Sequence, residues 1–273
     1  MFSEKNGKSF SGAFRTDTGN YDEGALKKIC RVFDAPDPAP NADLSLRLLE
    51  FIDFLQDRVG PDSRVIITSG YRSPEYNTGL RRHGALAAKA SLHQYGMAAD
   101  LILEGVDARA VWEYARATGF GGAGYYHGKT VHIDVGPARF WDETTSGVGT
   151  DISNDNKLIG LVTDFDVYQP GMTMELRFIR MTAFPIGVVS EFSLIRKNEI
   201  SGYERALGFT PDFAVPEGNP CLELGDIDQM AGIQWELPGD LAPGRYAIRA
   251  VFCGHPRKGM PGQVETPEIE IRK

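Results

Sequence analysis

Little in this 273-residue chain is suited to crossing a membrane or gripping nucleic acid. It has no uninterrupted apolar run of the about 18 residues that a membrane helix requires. Basic clusters are also missing, and 37 acidic side chains outnumber 29 basic ones for a net charge of −8. A counterion-release mode of nucleic-acid binding is therefore disfavoured. Cysteine is scarce: Cys30, Cys221 and Cys253 form no CxxC, which argues against a thiolate zinc site or a thioredoxin-type motif. Cys221 and Cys253 both fall in the C-terminal part, where one disulfide is open to them in an oxidising compartment. The opening MFSEKNGKSF carries no apolar core of a leader, which fits either a cytoplasmic protein or one whose leader has been removed. What remains, 42% hydrophobic residues with 31 Gly and 16 Pro, is the composition of a globular protein of one large domain or two modest ones.

Patterning divides the chain. After a mixed start and a Pro-rich turn, apolar positions Leu44, Leu48, Phe51, Ile52, Leu55 and Val59 recur at helical spacing. They predict a helix from Asp43 to about Arg58, capped by Asn41 or Asp43 and ended by Gly60-Pro61. Val65 to Thr68 reads as a strand running into the turn-rich Ser69-Gly70-Tyr71-Arg72-Ser73-Pro74, and residues 76–90 as a short helix. Ala98 to Leu103 is a second strand. A helix from about Asp107 to Thr118 closes on Gly119, and a strand pair follows around a His127-Gly128 turn. Residues 1–142 thus read as an α+β domain with an N-terminal extension. Residues 143–157 are polar and rich in Gly, Ser and Thr, the composition of a linker. Residues 158–273 alternate in strand period between Pro/Gly turns, which predicts an all-β, immunoglobulin-like sandwich of about 110 residues.

The chemistry is concentrated in few side chains. Of five histidines, His93, His127 and His132 lie close to acidic residues, whereas His83 and His255 have no acidic neighbour in sequence. His93 and Asp100 stand seven residues apart across a Gly-containing turn, and His132 comes from a neighbouring strand. Two nitrogens and one oxygen would leave a fourth tetrahedral position open, the arrangement of a catalytic zinc site. Each residue also has a plain structural reading: a turn cap, a strand opening, a half-buried strand histidine. Tyr125 and Tyr126 read as pocket wall or as sheet packing. Arg139 reads as a contact for an anionic substrate or as an exposed ion pair, and Trp235 as a sugar-binding face or as core.

The runs SGYRSPEYN, SLHQYGMAAD, GGAGYY and VHIDVGPARFW together resemble the zinc peptidases that include D-Ala-D-Ala carboxypeptidases, VanX-type dipeptidases and the Hedgehog signalling domain. Within that group the chain is most similar to the murein DD-endopeptidase K-like branch, over roughly residues 40–142. The resemblance implies a Zn2+ ion on His93, Asp100 and a late histidine, here His132, and a functional arginine at Arg72. A planar, permanently charged guanidinium suits developing oxyanion charge. Two departures matter. Where many relatives carry Glu or Asp three residues before the last ligand, this chain has Lys129. Where others carry HxH, it has His132-Ile133-Asp134, whose outer side chains point the same way on a strand. Either His132 or Asp134 is then open as third ligand. His132 is taken as the ligand and Asp134 as base or supporting partner, with His127 as rival base.

The implied protein is a zinc-dependent metallopeptidase cleaving peptidoglycan stem-peptide or cross-link amides, of unspecified DD or LD, endo or carboxy specificity. A murein substrate places it in the periplasm or outside the cell, its leader removed. The β-sandwich would serve a wall or protein partner. The alternative on the same scaffold is a zinc-containing binding module without catalysis.

Overall fold

Apolar alternation and well-placed turn residues build the sheet that carries the histidines. The computed structural model describes residues 1–35, 44–83, 87–145, 154–198, 202–213, 219–254 and 256–273. The chain falls into two compact units, Met1–Asp151 and Ile152–Lys273.

The first unit contains, in chain order, β1 (Phe2–Ser3), α1 (Glu23–Val32), α2 (Leu46–Val59), β2 (Val65–Ser69), α3 (Pro74–Arg82), β3 (Ala98–Leu103), α4 (Ala108–Thr118), β4 (Gly122–Tyr125), β5 (Val131–Asp134) and β6 (Arg139–Asp142). Its six-stranded sheet has the order β1-β2-β3-β5-β4-β6, so β3, β5 and β4 are interior and β6 is an edge. In register, Asp100 of β3 stands opposite His132 of β5, which in turn stands opposite Gly124 of β4. Strand alternation therefore puts Asp100, His132 and Asp134 on one face. Ala99, Leu101, Val131 and Ile133, all essentially inaccessible, fall on the other, against which α2 and α4 pack.

α4 forms as its sequence directs: the Asp107 carboxylate accepts from the Arg109 N–H, and Gly119 ends the helix in the left-handed conformation. α2 starts at Leu46, after the expected Asp43; Asn41 and Asp43, the expected caps, lie outside the described residues. α1 is a helix that the mixed first 40 residues do not announce, capped by Asp22 and burying Ala25, Ile29 and Val32. The helix expected over 76–90 is shorter. Ser73 caps it and Pro74 opens it, but it ends at Arg82; residues 84–86 lie outside the described residues, and beyond them Lys89-Ala90 form a turn.

The second unit contains two sheets. Thr173–Ile179 pairs with Gly160–Thr163 and Ile233–Glu236 in one; Gly244–Cys253 is the hub of the larger, eight-stranded one. Leu176 and Phe178 from the small sheet share a core with Val188, Phe192, Leu194 and Ile248 from the large one. Trp235 belongs to this core, stacked on Phe209 with ring centroids 3.6 Å apart, so the core reading holds and the sugar-binding face does not. Cys221 and Cys253 form a disulfide. His255 lies outside the described residues. Phe178 is fully buried between Phe192 and Phe252. Phe178→Ala is expected to cost this unit about 3–5 kcal/mol, measured by denaturant titration.

Candidate metal centre and the cavity above it

The segment after β2 shapes one wall of the site. Tyr71 donates its backbone N–H to the Phe33 carbonyl at 2.7 Å, and a Cβ on Gly70 would collide with the backbone of Phe33, so only glycine fits there. The freed Gly70 carbonyl accepts from Nδ1 of His93 at 2.7 Å, and the Arg72 N–H donates to the His93 carbonyl at 3.1 Å. His93 itself sits in a single 3-10 turn, Leu92–Tyr95, which Gly96 closes at φ 63°. With its Nδ1 proton on a carbonyl, His93 presents the lone pair of Nε2. Burial holds its pKa below the ordinary value against the pull of Asp100, favouring the neutral imidazole that a metal takes.

Three donor atoms converge. Nδ1 of His132 lies 3.0 Å from Oδ1 of Asp100 and 3.3 Å from Nε2 of His93, and that nitrogen is 3.5 Å from the same Asp100 oxygen. Among the described residues this is the one group of three His, Cys, Asp or Glu side chains with donors so close together. Separations of this size match the edges of a tetrahedron around an ion with bonds of about 2.0–2.2 Å. The nitrogens turned away from the cluster are both committed, His93 to Gly70 and His132 to Asp134, as ligating histidines require. The residues therefore fit a metal ion. The spare oxygen of Asp100, Oδ2, accepts from Arg72 at 2.5 Å, and Oδ1 also accepts from the Tyr126 hydroxyl at 3.1 Å. Burial would raise the Asp100 carboxyl, but its contacts with the two imidazoles hold it well below the usual range.

Asp134 lies behind His132. It is wholly buried, and its carboxylate accepts from Nε2 of His132 at 2.9 Å, from both amino groups of Arg139 at 2.9 and 2.7 Å, and from the backbone N–H groups of Gly122 and Gly136. Burial pushes its pKa up, yet the His132 hydrogen bond and the Arg139 charge bring it well below the ordinary carboxylate value. With its oxygens so occupied, Asp134 is placed as the supporting partner of His132, the second of the two roles expected for it. His127, the rival base expected from sequence, stands apart from the cluster. It occupies the β4–β5 turn at φ 57°, pairs with Asp142 at 2.6 Å and does not line the cavity. His83 caps the end of α3, its ring 2.8 Å from the Gly79 carbonyl.

A cavity of about 430 Å³ opens above the donors. Small residues (Ala87, Ala88, Ala90, Ser91) and Leu92 line it together with Tyr126, Arg139, Phe140, Trp141 and Glu143, and with Arg72, His93 and His132 of the site. Trp141 reaches His132 (ring centroids 5.6 Å) and Tyr126 (5.0 Å) by crossing Gly124, where any Cβ would overlap its indole. Gly122 is bare for a parallel reason, since a Cβ there would overlap the Asp134 carboxylate. Tyr126 is thus pocket wall, Tyr125 packs on Trp112, and Arg139 is an ion-pair partner that also faces the cavity. From sequence, Trp141 enters only as the end of the VHIDVGPARFW run and Glu143 only as the first residue of the linker. The signal available was period-two spacing of Arg139, Trp141 and Glu143 beyond the last histidine.

Asp134→Asn is expected to lower stability at pH 7 by about 3 kcal/mol, because Arg139 loses its buried partner, and to weaken zinc binding about 10- to 100-fold. Because the folded pKa of Asp134 lies below its unfolded value of about 3.9, its contribution is complete above about pH 4 and fades as pH falls towards the folded value. Acid unfolding of the wild type and the Asn variant, followed by circular dichroism, should converge below that point.

Comparison with known proteins places this geometry. A family model described as peptidoglycan L,D-endopeptidase MepK matches residues 1–141. The curated MepK of Escherichia coli K12 is 41% identical over 88 residues, 32% of this chain and 48% of that protein. The probable MepK of Haemophilus influenzae is 36% identical over 81 residues, 29% of this chain and 44% of that one. The chain spans about half the length of the curated relatives it matches. Among solved structures, Pseudomonas fluorescens alkylpurine DNA glycosylase AlkC bound to DNA matches over 42% of this chain and 30% of that one. At 18% identity and a TM-score of 0.25, it establishes no common fold. The family match spans the donor cluster, the Asp134 network and the cavity-lining residues up to Trp141, leaving Glu143 just beyond it, and by it this chain belongs to the MepK family of peptidases.

Proposed function

We propose that this protein is a zinc-dependent peptidoglycan peptidase that hydrolyses L,D amide bonds between stem peptides. The observation that carries the reading is the donor cluster: His93, Asp100 and His132 converge with their outer atoms already bound to Gly70, Arg72 and Asp134. The donor set, two imidazoles and one carboxylate, suits zinc with an open position. A bound zinc ion would supply Lewis acidity to water and to the scissile carbonyl alike.

The chain's own residues do the rest. Arg72 is tied by Nε to Ser69 at 2.9 Å and by one amino group to Asp100. It therefore fixes the Asp100 carboxylate first, while the edge of its guanidinium that lines the cavity serves the carbonyl oxygen of a bound amide. Tyr126 steadies the other Asp100 oxygen. The mixed lining, small residues together with aromatic ones, suits an extended peptide and offers it the indole of Trp141.

A murein substrate lies outside the cytoplasm, and the Cys221–Cys253 disulfide suits an oxidising compartment. No helix among the described residues is long and apolar enough to cross a membrane. The second unit we read as an accessory immunoglobulin-like sandwich for a wall or protein partner. Its Tyr246 hydroxyl donates back to the Ala242 carbonyl at 2.8 Å, a corner contact frequent in such sandwiches.

Purified protein incubated with L,D- and D,D-cross-linked muropeptides tests the reading. Cleavage of the L,D bond is expected, lost on chelation and restored by Zn2+. His93→Ala should hold no stoichiometric zinc by elemental analysis and release no product. Full turnover by a metal-free His93→Ala protein would sink the assignment, and stoichiometric zinc without cleavage of any muropeptide would favour a binding module.

A further inference from the structure

Amide hydrolysis requires a group that accepts a proton from the attacking water and returns it to the departing amine. If the peptidase reading above holds, that group must share the cavity with the donor cluster. The two candidates from sequence, Asp134 and His127, do not supply it, and Lys129 has no carboxylate. Asp134 is buried behind His132 with its oxygens occupied, and His127 is paired with Asp142 away from the cavity. Lys129, at the position where relatives carry a carboxylate, is an exposed ammonium.

The titratable groups that do line the cavity are Arg72, His93, Tyr126, His132, Arg139 and Glu143. The guanidinium groups keep their protons. Each imidazole spends one nitrogen on a fixed partner and aims the other into the donor cluster. Tyr126 is engaged as well, its hydroxyl donating to Oδ1 of Asp100. Among the described residues, Glu143 alone is a carboxylate that lines the cavity without serving the cluster.

Its place follows from the fold. The Glu143 N–H donates to the Tyr125 carbonyl at 2.9 Å, extending the parallel pairing of β6 with β4 by one residue. Strand alternation then sets Glu143 on the face that also carries Trp141 and Arg139, and all three line the cavity. It shares the cavity lining with Tyr126, whose hydroxyl rests on Asp100, and with the donor residues His93 and His132.

We infer that Glu143 is the proton shuttle of this site. As the water oxygen bonds to the carbonyl carbon, Glu143 takes one of its protons. When the C–N bond breaks, Glu143 returns that proton to the amine nitrogen, so one amide and one water yield one carboxyl group and one amine.

The test compares zinc-loaded full-length wild type with Glu143→Gln and Glu143→Ala on a purified L,D-cross-linked muropeptide. For Glu143→Gln, kcat is expected to fall about 10²- to 10⁴-fold. KM, zinc stoichiometry by elemental analysis and melting temperature should stay unchanged. Added formate should restore part of the activity of Glu143→Ala, which a purely structural role would not allow. Turnover by Glu143→Gln within about threefold of wild type overturns the inference. So does a raised KM at unchanged kcat, which would make Glu143 a substrate-binding residue. Wild-type protein inert towards every muropeptide overturns the peptidase reading and this inference with it; active wild type with an equally active Glu143→Gln overturns the inference alone.

Discussion

The first unit is organised around one buried carboxylate. Asp134 has no exposure to water, and an isolated ionised carboxylate in such a place would be prohibitively costly. It is tolerable because five N–H groups converge on it, two from Arg139, one from His132 and two from the backbone at Gly122 and Gly136. Those bonds also fix other parts of the site. They turn His132 so that Nδ1 faces Asp100, anchor the start of β4, shape the turn after β5, and pin Arg139 at the head of β6 beside the cavity. Remove the carboxylate, and the imidazole loses its orientation while a guanidinium loses its partner.

The same economy explains the run Gly121-Gly122-Ala123-Gly124. Gly122 leaves room for the Asp134 carboxylate, and Gly124 leaves room for Trp141 to cross the sheet towards His132. Ala123, between them, points to the opposite face and is buried there, so a side chain is wanted only where nothing else must pass. A strand with two missing side chains is weakly stabilised by itself. Here its pairing with β5 on one side and β6 on the other, and its packing against α4, supply what the glycines withhold.

Much of this was legible beforehand, and the limits have physical causes. Helix α4 and strands β3 and β5 follow from local pattern and caps, and His93, Asp100 and His132 stand out because histidine is rare in the chain. The choice between His132 and Asp134 was not legible. Strand alternation puts both on one face, and only the tertiary partners, Arg139 and two backbone amides for one, Asp100 and His93 for the other, separate their roles. The extent of α3 was misjudged because small residues such as Ala87 and Ala88 satisfy a helical pattern as readily as a cavity wall. No site role was legible for Trp141 and Glu143, since an edge strand after the last histidine looks like the end of a domain, and nothing local shows that it folds back along β4.

That fold-back divides labour between interior and edge of one sheet. Asp100 and His132 belong to interior strands with partners on both sides, where register is strongly held and a donor cluster keeps separations of 3.0–3.5 Å. Arg139, Phe140 and Trp141 of the cavity lining come from β6, which pairs with β4 alone. An edge strand tolerates substitution with less disturbance to the core, so the cavity wall can change while the donor geometry stays fixed. Arg139 belongs to both parts: one end of its role is the Asp134 carboxylate, the other the cavity. A substitution there would alter the cavity and the donor geometry at once, which makes it the most constrained position on the otherwise adaptable strand.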